Sequence, residues 1–168
     1  QAEAMTMADR VAVMMDGDLL QVDTPRNVYA DPADIRVAEF IGSPKINILP
    51  AQASDTGAVT VGDMVLAGVN SAVKSTKIQV GVRPEAVTLE SNNDAGLPCR
   101  IVHHENLGSE AYFHVELDIG GRVISRMDAS AIDQFSTGHK AVATLNTKNT
   151  LLFDNDGQRI STKTEVVA

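Results

Sequence analysis

The residues whose type and spacing invite a metal-binding or nucleophilic reading are His103, His104, His114, His139, Cys99, Ser109 and the stretch Asp154-Asn155-Asp156-Gly157. A zinc-type site needs three or four donors converging on one point. His103 and His104 are adjacent in a stretch that reads as strand, so their side chains are expected on opposite faces, unable to share an ion. His114 and His139 would have to converge from other strands, with Glu105 or Cys99 as a further donor, and no metal site is expected. Asp154-Asn155-Asp156-Gly157 opens like a calcium loop, and Glu165 falls at the twelfth position. Its glycine comes two places early, and Arg159 stands where such a loop makes its sharp turn. A tight turn is the expected structure there, since Asn, Asp and Gly all favour one.

Nucleophilic chemistry has no better footing. A reactive cysteine needs a basic neighbour and a lowered pKa. Cys99 instead alternates with Leu97 and Ile101 on what reads as the inward face of a strand, where a thiol is a small buried hydrophobe. Ser109 stands beside Glu110 and near His114 without the spacing of a triad. The sequence contains neither Gly-x-x-x-x-Gly-Lys-Ser/Thr nor Gly-x-Gly-x-x-Gly, so it encodes no preorganised phosphate cradle. These 168 residues are not expected to hydrolyse ATP, and no catalytic or cofactor-binding residue is assigned.

The elements that carry these residues change character near Gly42-Ser43-Pro44. Ala2 to Ala8 suits a short helix. The apolar runs Val11–Met15 and Leu19–Val22 flank Asp16-Gly17, a strong hairpin signal. Thr24-Pro25 reads as an N-cap followed by proline at the first helical position, and Asp34 as the cap of a second helix. Beyond Pro44 short strands alternate with turns: 58–61 and 64–66 around Gly62-Asp63, then 78–82, 86–89, 97–101, 112–117, 123–127, 141–143 and 151–153. The predicted fold is mainly β: a small barrel of the oligonucleotide-binding type with an N-terminal α/β appendage. The expected division is 1–44, 45–160 and a polar tail at 161–168.

Composition narrows the function classes. A net charge of −8 and a pI near 4.8 argue against a nucleic-acid partner and against adhesion to anionic lipid. No apolar run approaches the length of a membrane span, and no secretory signal is visible. The single cysteine excludes an internal disulfide and fits a reducing compartment.

A longer, ordered pattern then emerges. The run Gln1-Ala2-Glu3-Ala4-Met5-Thr6-Met7-Ala8-Asp9-Arg10-Val11-Ala12-Val13-Met14 closely resembles the segment that follows the switch histidine in sugar-importer ABC ATPases, placing that histidine just ahead of Gln1. The likeness continues through Gly17, Gln21-Val22, Thr24-Pro25, Val28-Tyr29, Pro32, Val37-Ala38, Phe40-Ile41-Gly42-Ser43-Pro44 and Asn47-Ile48-Leu49. The remainder is similar to the transport-associated oligonucleotide-binding, or TOBE, domain of that family. Gly81-Val82-Arg83-Pro84-Glu85 matches its recurrent bend, Glu105-Asn106-Leu107-Gly108-Ser109-Glu110 its second signature, and 152–160 its closing hairpin.

The resemblance implies a piece of a longer ATP-binding subunit, its appendage derived from the ATPase domain. ATP and magnesium would belong to the parent protein. It further implies a cytoplasmic homodimer beneath the membrane permease subunits of a sugar-type importer, with a regulatory protein as a further partner. Gly42, Ser43, Pro44, Asn47, Gly81, Arg83, Pro84, Glu85, Leu107, Gly108, Ser109 and Glu110 are the family's structural or interface residues. Arg83, Glu85 and Glu110 are expected to cap turns and pair charges. A small-ligand or oxyanion-binding barrel is the alternative reading. Self-association is expected from barrel contact and from the hairpin Arg10–Asp23, whose apolar face should find another chain or lie against the barrel.

Overall fold

The structure, a computed structural model, describes residues 2–74 and 76–160. The expected polar tail and Glu165 lie outside the described residues. Helix α1 spans Ala2–Met7, and strands β1 (Val11–Met15) and β2 (Asp18–Asp23) pair antiparallel. Asp16 and Gly17 turn the hairpin with φ of 52° and 91°, the left-handed backbone that a tight hairpin turn demands. Helix α2 (Pro25–Ala30) begins where Thr24 accepts a bond from the Asn27 N–H, and α3 (Ile35–Phe40) where Asp34 accepts from the Arg36 N–H. Bonds from the Arg36 side chain hold the Asp34 carboxyl below the usual carboxylate range. Gln158 closes that cap from the far end of the chain at 2.8 Å.

Of the two placements expected for the hairpin, the one against the barrel is not found. Its inner residue Val13 is buried with Val28, Val37 and Ile41, and Val11 and Leu20 pack onto this cluster. Helices α2 and α3 therefore cover one face of the hairpin. Met14, Leu19 and Val22 on the other remain exposed.

Eleven further strands follow: β3 (Asn47–Ala53), β4 (Ala58–Val61), β5 (Met64–Asn70), β6 (Thr76–Val82), β7 (Val87–Glu90), β8 (Leu97–Asn106), β9 (Glu110–Leu117), β10 (Arg122–Asp128), β11 (Lys140–Leu145), β12 (Thr150–Phe153) and β13 (Arg159–Ile160). They form two antiparallel sheets, ordered β13-β12-β6-β3-β4-β5 and β10-β9-β8-β11-β7. One apolar cluster runs through both, from Leu49, Val61 and Val80 to Ile101, Phe113 and Ala143. The protein is thus mainly β and barrel-like, with an inventory of strands larger than the sequence suggested. β3 escaped detection because Pro50 sits inside it. The strand tolerates the missing N–H because its pairing with β4 begins only at Gln52, leaving proline on an open flank.

Side chains rather than backbone ladders close the seams. Edge strands β7 and β10 of the five-stranded sheet meet through the Ser125 hydroxyl, which donates to the Val87 carbonyl at 2.5 Å. Asn47, buried on β3, donates to the Ile124 carbonyl at 2.8 Å and accepts from the Ile124 N–H at 2.7 Å. A primary amide carries both a donor and an acceptor, so it can mimic a strand neighbour at an otherwise unpaired edge. At the other end, the Asp154 carboxylate accepts from the N–H groups of Asp156 and Gln158, both at 2.9 Å, making the tight turn. That turn docks on the start of α3, where Ile35 N–H donates to the Gly157 carbonyl. No helix among the described residues is long and apolar enough to cross a membrane.

Candidate functional site

Arg83 lies between β6 and a 3-10 turn over Pro84–Ala86, with φ −66° and ψ 151°, the extended backbone favoured before proline. Pro84 is itself buried. Extension sends the Arg83 side chain away from the barrel and under the two helices, where only 5 % of the residue stays exposed. One terminal nitrogen, Nη1, donates to the carbonyls of Ala38 at 2.9 Å and Ile41 at 2.5 Å. The other, Nη2, donates to Tyr29 O at 3.0 Å. These carbonyls belong to the last turns of α2 and α3, where no further helical N–H exists to bond them. A guanidinium suits the position because it offers several donors in a fixed fork and carries the charge that helix C-termini attract. Burial pulls its pKa below the ordinary value, partly offset by Tyr29 and Glu85.

Tyr29 completes the junction. Its ring lies 4.1 Å from the Arg83 guanidinium carbon, and its hydroxyl donates to Glu85 Oε1 at 2.6 Å. Burial, then the Glu85 bond and charge, push the phenol up to about 12. Gly42 makes room for this arrangement. A Cβ there would stand 3.0 Å from Arg83 Nη1, and its φ of +116° is one that side chains rarely adopt. Ser43 is exposed and is joined to the half-buried Pro44 by a cis bond. Gly81 lies over Ile46 and Phe153, each 3.0 Å from where a Cβ would stand. A groove of about 570 Å³ opens beside the junction, lined by Asp31, Arg83, Glu85, Lys148 and Arg159.

The second signature lies elsewhere and is built differently. Leu107, Gly108 and Ser109 form the β8–β9 turn, closed by Leu107 N–H donating to the Glu110 carbonyl at 2.8 Å. All four of Leu107, Gly108, Ser109 and Glu110 are exposed. Glu110 lies 3.8 Å from Arg126, whose charge also reaches Tyr29. Sequence reasoning left Tyr29 out of the site residues, although it was legible as one of only two tyrosines in the chain. Arg126 gave no local signal.

The residues weighed for catalysis are not brought together as a catalytic unit. Burial pushes the Cys99 thiol up to about 11, which leaves it protonated at neutral pH. Among the described residues, no group of three or more His, Cys, Asp or Glu side chains stands ready to hold a metal ion.

Comparison with known proteins gives this geometry its context. Residues 80–153 match the TOBE domain family. This chain carries a TOBE domain. Arg83, Pro84, Glu85 and the turn 107–110 all lie within it, whereas Tyr29, Gly42 and Asn47 lie before it. The chain is 36 % identical over 157 residues to the diacetylchitobiose uptake system ATP-binding protein MsiK of Streptomyces coelicolor, covering 80 % of this chain and 41 % of that protein. It is 32 % identical over 170 residues to the lactose transport ATP-binding protein LacK of Rhizobium radiobacter, covering 95 % and 47 %. The likeness to ATP-binding subunits of sugar-type ABC importers thus extends through the TOBE domain and the helices packed on it. The chain spans less than half the length of these relatives. In fold it is similar to the cytoplasmic molybdate-binding protein ModG, with a TM-score of 0.50 at 15 % identity, over 63 % of this chain and 94 % of that one. The region matched is a TOBE domain of the oligonucleotide-binding type, not the catalytic region of an ATPase.

Proposed function

We propose that the chain is the non-catalytic dimerisation and regulatory module of an ABC importer's ATP-binding subunit, for sugars or related solutes. The observation that carries this reading is the Arg83 junction. A single buried cation binds the ends of two helices to the TOBE domain, so displacement of the helices is transmitted to the barrel rather than absorbed by a loose linker. ATP and magnesium are handled by the nucleotide-binding region of the parent subunit. Permease subunits at the cytoplasmic face of the membrane and a second copy of the chain are the partners. The exposed turn 107–110 and the outer hairpin residues Met14, Leu19 and Val22 supply two surfaces for such contacts.

Light scattering at roughly 100 μM, above the range of modest interfaces, tests the assembly. A dimer that dissociates in Leu107→Asp places the contact at the barrel, and one that dissociates in Leu19→Asp places it on the hairpin. A monomer at this concentration removes the dimerisation role. Titration with sodium molybdate tests the alternative, and tight binding would replace the regulatory reading with an oxyanion-binding one.

A further inference from the structure

The groove beside the Arg83 junction gathers donors that the fold leaves unspent. Arg83 serves the carbonyls of Ala38, Ile41 and Tyr29 from Nη1 and Nη2. Its buried Nε, by contrast, has no hydrogen-bond partner among the described residues. A buried N–H without an acceptor costs free energy that an incoming oxygen would recover. Arg159 lines the same groove. Its Nε donates to Asp31 Oδ1 and its Nη1 to the carbonyls of Leu152 and Ile160, while Nη2 makes no bond among the described residues. Lys148, exposed on the 3-10 turn Thr147–Asn149, has no ion-pair partner among them either. The acids of the groove are already engaged, Asp31 with Arg159 at 3.2 Å and Glu85 with the Tyr29 hydroxyl at 2.6 Å. Three cations, Arg83, Lys148 and Arg159, therefore stand against two acids in a chain whose net charge is −8.

We propose that this groove binds the carboxylate of a small hydroxylated monoacid. A carboxylate oxygen accepts from Arg83 Nε, and Lys148 and Arg159 Nη2 supply further charged donors, the kind of hydrogen bond that is strongest. The excess of a single positive charge suits a monoanion, because a dianion would set its second charge against Asp31 and Glu85. Those two carboxylates and the Asn149 amide are partners for hydroxyl groups on the rest of the ligand. The groove's volume of about 570 Å³ is within the usual range of a small-molecule site. Nε is covered from solvent, and the ligand reaches it as the exposed side chains of Lys148 and Asn149 swing aside. Because Arg83 also holds the ends of α2 and α3, a ligand on Nε fastens the junction that binds those helices to the barrel. The site needs no second copy of the chain and is independent of the proposed assembly.

Isothermal titration of the whole chain with sodium gluconate, at an ionic strength held constant with sodium chloride, tests it. The expected result is one ligand per chain with a dissociation constant at or below about 1 mM, the weak end of specific binding. Lys148→Ala should weaken binding roughly three- to fivefold, the scale of an exposed ion pair. Arg83→Lys keeps the charge but loses the Nε donor, and should weaken binding at least roughly tenfold. Arg122→Ala, which removes an exposed cation on β10 outside the groove, should leave affinity unchanged. D-Glucitol, with the hydroxyls but no carboxylate, should not bind. Lys148 is exposed, so its variant should melt as the parent does, which keeps the test decisive if Arg83→Lys is unstable. Binding weaker than about 1 mM, or equal affinity in the parent and Lys148→Ala, overturns the site. Inorganic phosphate binding more tightly than gluconate overturns its assignment to a monocarboxylate.

Discussion

The bend at Arg83 and the turn at Leu107–Glu110 look alike as sequence: each is a short polar break between strands, with charge and a backbone-bending residue. The structure gives them opposite physical characters. Arg83 is sunk beneath α2 and α3, its two terminal nitrogens satisfying three carbonyls. The turn at 107–110 projects into solvent, and its ion pair is stretched to 3.8 Å. A charge in the interior persists only where its hydrogen bonds are provided, and removing it leaves those partners stranded. An exposed charge can be exchanged with water at little cost. The first feature is therefore internal mechanics, and the second is available for recognition.

The sharpest way to break this contrast is Arg83→Ala. It should lower unfolding free energy by about 3 kcal/mol, the scale for leaving buried carbonyls without a charged donor, as measured by urea denaturation. Arg83→Lys should recover only part, because an ammonium cannot reproduce the fork. An effect below about 1 kcal/mol in the alanine variant would place the junction among ordinary surface contacts. Asn47→Ala comes next. It leaves both the N–H and the carbonyl of Ile124 without their partner, for an expected loss of about 2 kcal/mol. The same melts measure it.

A subtler probe is pH. The Tyr29 phenol is raised to about 12 in the folded chain, above its ordinary value near 10. Its contribution is fully present below pH 10, where both states hold the proton. It is lost as pH rises from 10 toward 12, because the unfolded chain ionises first. Urea midpoints for the parent and Tyr29→Phe should therefore converge through that window, and parallel curves would detach Tyr29 from Glu85. The smallest effect belongs to Glu110→Ala, expected within about 0.5 kcal/mol of the parent. A larger loss would show the exposed turn to be part of the fold's support, erasing the distinction from Arg83.

Legibility in the sequence followed locality. The turn at Asp16-Gly17, the caps Thr24 and Asp34, and the inward alternation of Leu97, Cys99 and Ile101 are decided within a few residues, and each stands where the sequence put it. Asn47 was legible only through family likeness, because its partner, Ile124, lies 77 residues away. β3 was hidden by Pro50, whose acceptability depends on which flank of the strand is paired. His103 and His104 were separable by strand alternation, but the pairing of His103 with His114 rests on a bulge between Ile101 and His103 that alternation cannot show.

By itself, then, the sequence determined the mainly β architecture, the turns, the helix caps and the likeness to importer ATP-binding subunits. Each follows from short-range backbone preferences or from an ordered series of residue types. Only the tertiary structure decided which charge is buried. Arg83 finds its carbonyls 42 to 54 residues away in sequence, and a bond across that distance exists only once the helices have packed. The bulge in β8 is of the same kind. Register is fixed where Phe113 and Ile101 enter a shared core, and a slip of one residue would turn every following side chain to the wrong face.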